Sequence, residues 1–364
     1  MSQFRSTHAA AIVAPRLLAF LLALSVGPAV AQEAAKEANE AKDGDEKRVL
    51  VPGRWYPSME GGVTLTQSAY SDNWNGGDKG SVVWVANINA TAENQLSAKV
   101  NSMNTLKLAY GQTHQQKSGV DGERNWDRPD KSTDLIAEES VLRFTLQGLV
   151  DPYAAFNFES QFQDASDPLG RTLSLNPMKF KESVGVARQF INLEDRSLLS
   201  RLGFTMRQSL RKFFIEDALS KATASESGND GGLEWVTEYK TKLAEKRVAW
   251  SSRLGVYQPF FYSGKDELED LAPDSLIAAG LDPEVADFST TVDVDFENIF
   301  TTQITKIISV NLYTRWVYDK YDNSVSPRLG EDGSLSDPAL VRSAVRKSGQ
   351  FKQTLGIALT YRFI

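Results

Sequence analysis

The chain has 364 residues, no cysteine and a net charge of −7, with acidic and basic residues interspersed. No basic face exists for nucleic acid, and without cysteine there is no disulfide framework, thiol nucleophile or lipid-carrying Cys. Past Ala31 no apolar run approaches the roughly 20 residues that a spanning helix needs, so helical membrane spans are excluded as well.

The first residues read as a processing signal. Arg5 and Arg16 supply positive charge, Leu17 to Leu24 a short apolar core, and Ala29-Val30-Ala31 the small-x-small pattern before Gln32. The expectation is a signal peptide over 1–31, cleaved after Ala31. Residues 32–60 begin with an Ala/Glu/Lys/Asp-rich stretch that has no apolar face to bury, and read as a periplasmic tether. Export without a Cys anchor or an apolar helix leaves the periplasm or the outer membrane.

From residue 61 to 364 the pattern is that of strands. Segments of roughly ten residues alternate apolar and polar side chains: Val63–Tyr70, Val82–Ala92, Thr105–Thr113, Thr133–Phe144, Tyr153–Phe162, Lys179–Phe190, Leu202–Leu210, Leu233–Leu243, Val248–Tyr257, Thr291–Phe300, Ile304–Tyr318 and a last strand from Phe351. In that last strand Phe351, Leu355, Ile357, Leu359, Tyr361 and Phe363 share one face and Lys352, Thr354, Gly356, Ala358, Thr360 and Arg362 the other, as the strand period of two dictates. Thr133–Phe144 is ambiguous in phase. The expected fold is all-β: a transmembrane antiparallel up-and-down β-barrel of about 12 strands.

The connections alternate in length. Glu93–Gln95, Gln147–Pro152, Asn192–Ser197, Ala244–Arg247 and Ile299–Gln303 are short. His114–Ser132, Gln163–Leu175, Phe213–Gly232, Pro259–Ser289 and Tyr321–Ser348 are long, and Ser71–Gly80 is moderate. Short periplasmic turns and long outer loops are the habit of outer-membrane barrels, not of soluble sandwiches. Trp84, Trp235 and Trp316 fall near long-loop ends and Trp250 near a short-turn end, where indole rings anchor at membrane–water interfaces.

Three passages resemble an uncharacterised family of outer-membrane barrels known only as a domain of unknown function, of the DUF-3078 type. They are Leu65-Thr66-Gln67 through Asp72-Asn73-Trp74-Asn75-Gly76-Gly77, then Asn104 to Gly111 with Lys131-Ser132-Thr133-Asp134, and the terminus from Gln350 to Phe363. The resemblance implies a barrel in the outer membrane and brings no substrate, cofactor or catalytic residue. Ile364 departs from the family's ending by making the terminal aromatic, Phe363, penultimate. The Phe363-Ile364 end is the expected signal to the barrel-assembly machinery.

Chemistry is sparse. Asn73-Trp74-Asn75-Gly76-Gly77-Asp78 reads as a turn in which Gly and Asn accept positive φ, or else as a binding rim built on Trp74. His114 is the one histidine past the signal, with no serine or orienting acid at a catalytic spacing. Asp266-Glu267-Leu268-Glu269-Asp270 reads as a solvated loop or a loose cation site, and Gly228-Asn229-Asp230-Gly231-Gly232 as a flexible hairpin apex. No cofactor, metal site or catalytic residue is expected.

The polar faces carry the candidate site. Charged side chains are too costly against lipid at mid-depth, about 2–4 kcal/mol for Arg or Lys, so they must face inward. The candidate lumen lining is Lys107, Glu159, Arg201, Arg207, Arg211, Glu234, Glu238, Arg253, Asp293, Asp295, Glu297, Arg315, Lys352 and Arg362. Two readings follow. One is a narrow passive channel for small polar or charged solutes. The other is a barrel closed by ion pairs that acts through its outer loops. A third, a rim hydrolase on His114, has no motif behind it. Outer-membrane lipid is the expected surrounding in each case.

Overall fold

The computed structural model describes residues 50–68, 80–118, 124–146, 148–167, 169–193, 195–215, 221–330, 333–346 and 348–363. The expected signal peptide and its cleavage site, most of the tether, the Asn73–Asp78 segment and Ile364 lie outside them.

Twelve long strands form in chain order: β1 (Trp55–Ser68), β2 (Ser81–Ser97), β3 (Val100–Ser118), then, after a three-residue β4 (Arg124–Trp126), β5 (Asp130–Phe144), β6 (Asp151–Ser160), β7 (Met178–Asn192), β8 (Arg196–Phe214), β9 (Thr223–Leu243), β10 (Val248–Tyr262), β11 (Asp293–Gln303), β12 (Ile308–Tyr318) and β13 (Gln350–Arg362). Each pairs antiparallel with its chain neighbour, and β13 closes on β1 from Glu60↔Arg362 to Thr64↔Ala358. β4 hangs on the outer end of β3. Closure leaves the twelve long strands without a free edge, which is how a sheet satisfies its backbone groups in hydrocarbon. All twelve expected strands are present.

Most strands run longer than their apolar alternation, because pairing continues past the membrane into water, where alternation is no longer required. The β2–β3 turn therefore sits at 98–99 instead of Glu93–Gln95, and β11 extends to Gln303, so that β12 starts at Ile308 rather than Ile304. β1 begins at Trp55, which takes residues 55–60 out of the expected tether and into the barrel wall. The Gly228–Gly232 run is not a hairpin apex but part of β9. Its glycines serve close packing: a Cβ at Gly232 would collide with the Gln258 carbonyl, and one at Gly231 with the Phe261 ring. The β9–β10 turn falls at 244–247 as expected, with Ala244, Glu245 and Lys246 all at positive φ.

Inside and outside are fixed by contacts across the barrel. Arg201 on β8 and Arg253 on β10 both reach Glu139 on β5, across strands that lie between them. Non-neighbouring strands can meet only through the interior, so the odd-numbered row of β5 points inward. Propagated through the register, the outward rows hold Leu202, Phe204, Trp235, Phe296, Leu355, Ile357 and Leu359. Leu355, Ile357 and Leu359 are 66%, 62% and 59% exposed, which is sensible only against lipid. Near the short-turn end Trp250 stacks on Phe300 at 5.6 Å and meets Tyr239 edge-on at 5.3 Å.

A small second core caps the long-loop end. The β10–β11 connection carries α1 (Lys265–Glu269), α2 (Pro273–Ala278) and α3 (Val285–Phe288), and the β12–β13 connection carries α4 (Pro338–Ala344). Leu268, Leu276, Val285, Phe288, Tyr321 and Val341 pack together there. The Asp266–Asp270 run is thus a helical turn pinned by buried Leu268, not a solvated loop.

Candidate lumen

The register places all fourteen candidate side chains on the inward rows. They do not line one uniform pore. On the β5–β11 side they join residues that the sequence reading did not select. Arg201 Nη2 donates to Glu139 Oε1 at 2.9 Å and to Glu238 Oε1 at 3.0 Å, and its guanidinium lies 5.7 Å from the Tyr153 ring centre. Lys181 Nζ pairs with Glu234 at 2.6 Å, while Ser183 and Thr205 also reach that carboxylate. Arg207 Nε donates to Asp230 at 2.8 Å and its Nη1 to Asp293 at 2.9 Å, with the Tyr257 ring beneath it and the Tyr257 hydroxyl donating to Asp230 at 2.6 Å. These charges are satisfied by one another. They fill space and offer little to a solute.

The facing wall is different. On β13, β1, β2 and β3 the inward rows hold Gly356, Ala358, Gly62, Thr64, Asn87 and Ala109, so the wall is thin. Lys107, Lys352 and Arg362 stand on these strands or next to them, exposed inside the barrel, with no carboxylate in salt-bridge range among the described residues. Glu159 is likewise exposed. Arg315 pairs with Asp295 at 2.8 Å, both nearly half exposed, and Tyr313 donates to Glu297 at 3.0 Å, so these form the border between the filled and the thin sides.

Of the residues that the sequence reading missed, Glu139 matters most. It lay in the strand of ambiguous phase, because Glu138 and Glu139 are adjacent and opposite faces of β5 carry one each. Asp230 and Glu226 were hidden by the assignment of their segment to a loop. Lys181 was legible from the alternation of β7 but was left out.

The cap crosses the mouth. Leaving β12, residues 319–328 travel to strands on the other side of the barrel: Lys179 on β7 lies 4.0 Å from Asp322, Ser326 Oγ donates to the Ser227 carbonyl at 2.8 Å, and Arg328 lies 3.4 Å from Glu226 and 4.2 Å from the Phe213 ring centre. Tyr262 donates to the Val325 carbonyl. At the root of this segment, burial and the neighbouring Asp293 and Asp322 charges push the Asp319 carboxyl up to about 7. Beside the crossing segment lies a cavity of about 440 Å³ bordered by Arg171, Arg211, Glu226, Arg328 and Asp337.

His114 packs its ring 5.0 Å from that of Trp126 on β4. Among the described residues no group of three His, Asp or Glu side chains has a metal-binding arrangement.

Residues 65–165 match the family model for a protein of unknown function, DUF3078. The DUF3078 segment runs from β1 past the end of β6, includes the first two passages that carried the resemblance, and bears that resemblance out. No curated protein matches the chain. Among solved structures, an outer membrane channel from Pseudomonas putida aligns over 88% of this chain and 100% of its own, at 10% identity and a TM-score of 0.37. The beta domain of the Bordetella autotransporter BrkA aligns over 84% and 98%, at 10% identity and 0.31. The translocator domain of the autotransporter NalP from Neisseria meningitidis aligns over 94% and 97%, at 8% identity and 0.31.

Proposed function

We propose that the chain is a narrow passive channel of the bacterial outer membrane, exported with cleavage after Ala31 and carrying small polar or charged solutes without an enzymatic step. The observation that supports this reading is the unequal filling of the barrel. A lumen meant only as a plug would be neutralised all round, whereas here ion pairs occupy one half and the other half has small side chains beside exposed Lys107, Lys352 and Arg362. Fixed charges next to water attract counter-ions and set selectivity. Twelve strands leave limited room once side chains fill part of it, so the path is narrow and runs along the β13–β1–β2–β3 wall. The cap then restricts admission from outside.

The second reading, a closed barrel acting through its outer surface, is favoured by the packed cap itself. Solute-dependent swelling of liposomes that contain the refolded protein separates the two. A channel admits small amino acids or sugars at rates that fall with solute size; a closed barrel leaves every rate at that of protein-free liposomes.

A further inference from the structure

The cavity of about 440 Å³ beside the crossing segment is built by two parts of the molecule. The barrel wall supplies Arg211 on β8 and Glu226 on β9, and the cap supplies Arg328 and Asp337. Its size falls within the range of small-ligand sites, roughly 300–1,000 Å³. Arg211 follows the start of β8 at Arg196 by fifteen residues. At ~3.3 Å per residue and a tilt of ~40° it stands ~38 Å above the periplasmic turn, clear of an apolar band ~25 Å tall. The cavity therefore meets water and not lipid.

Four basic and four acidic residues border it, so no net charge selects an anion or a cation. Some of them close on themselves. Arg171 donates to Asp167 from Nε at 3.0 Å and from Nη2 at 2.9 Å, and both Asp164 oxygens accept, from Asn176 and from the Ser166 amide. Others do not. Arg211 and Arg328 stand 3.7 and 3.4 Å from Glu226, yet neither guanidinium donates a hydrogen bond among the described residues. Two guanidiniums against one carboxylate leave that end positive, and Lys212 borders it too. The Ser336 amide donates to the Arg328 carbonyl at 2.8 Å, which holds Asp337 near Arg328, but no ion pair joins the two side chains. Asp337 accepts from the Leu340 amide at 3.0 Å through Oδ1, and its Oδ2 has no partner among the described residues.

Opposite charges that border one cavity without joining each other are complementary to a ligand that carries both signs. A pure anion would set a like charge against Asp337, and a pure cation would meet two guanidiniums; burying either mismatch is costly. We propose that the cavity is a binding site for a small zwitterion, an amino acid or a dipeptide. Its carboxylate lies on Arg211 and Arg328, whose planar N–H edges suit that group, and its ammonium lies on Asp337 Oδ2. Leu173 and Leu340 offer an apolar wall to its side chain. The ligand joins barrel wall to cap, and the site stands whether or not the lumen conducts.

Isothermal titration of the full chain, refolded in detergent micelles, tests the site with the dipeptide alanyl-leucine. The expected result is saturable binding at one dipeptide per chain. Acetylating its amine or amidating its carboxylate should each weaken binding at least about tenfold, the effect of losing one charge-assisted hydrogen bond. Arg328→Gln and Asp337→Asn should each weaken it by a similar factor, about tenfold or more, while the barrel keeps its heat-dependent shift in gel mobility. Asn at 337 still accepts from the Leu340 amide, so α4 keeps its cap and only the charge is lost. Should a variant fail to fold, the two blocked dipeptides on the unaltered protein decide. No saturable binding of the free dipeptide, equal affinity for either blocked form, or folded variants that bind like the unaltered protein would overturn the proposal.

Discussion

Arg201→Ala tests the filled half of the barrel. The guanidinium joins Glu139 at 2.9 Å and Glu238 at 3.0 Å, and only 6% of its side chain is exposed, against 22% and 28% for the two carboxylates. Removing one member of a fully buried ion pair costs about 3–5 kcal/mol, because the charge left behind has no partner. Here the residual carboxylates are partly wet, and Arg253 remains 3.8 Å from Glu139. The expected loss is therefore smaller, about 2–3 kcal/mol. Urea unfolding of the refolded barrel in lipid vesicles, followed by tryptophan fluorescence, measures it. Neutralising the pair together, as Arg201→Met with Glu139→Gln, should recover at least half the loss, since no uncompensated charge then remains on β5. A single-variant cost below about 0.5 kcal/mol, the level of an exposed pair, or a double variant no better than the single, would refute the claim that these charges are packed against each other.

Other outcomes follow from the same geometry. Asp295→Lys sets a second cation beside half-exposed Arg315, so the ratio of anion to cation permeability, read from reversal potential in a salt gradient, should rise severalfold. Val341→Asp places a carboxylate in the cap core, where Val341 is 1% exposed; the cap should loosen, with faster proteolysis between 319 and 349 while the barrel's heat-dependent gel shift persists. The pH dependence has a definite sign. Asp319 is raised from 3.8 to about 7, so its contribution to cap docking is full below about 4 and is lost as pH rises through about 7. Hydrogen exchange in residues 319–328 should therefore be slower at pH 5 than at pH 8, and Asp319→Asn should remove that difference.

Strand number and facing were legible because hydrocarbon outside and water or charge inside impose a period of two that survives in single residues: Leu355, Ile357 and Leu359 against Thr354, Gly356 and Ala358. The same constraint made Arg201, Arg253 and Asp295 readable as inward. Strand ends were not legible, since above and below the bilayer nothing enforces alternation. Thr223 to Gly232 therefore read as a loop although backbone pairing carries β9 through it. Partnerships were hidden too. Arg201 meets Glu139 across intervening strands, and no sequence spacing encodes that. The cap core joins two separate connections through Leu268, Tyr321 and Val341, each unremarkable within its own segment. Glu138 is the reverse case, a charge whose outward position breaks the rule by which the others were read.

Single-channel recording in planar bilayers, on the unaltered protein and on Val341→Asp, addresses an aqueous path along the thin wall most directly. Discrete current steps of small size are predicted for the first and larger or longer ones for the second. Silence from both, with barrel insertion shown by the gel shift, would mean that no continuous water runs beside Lys107, Lys352 and Arg362.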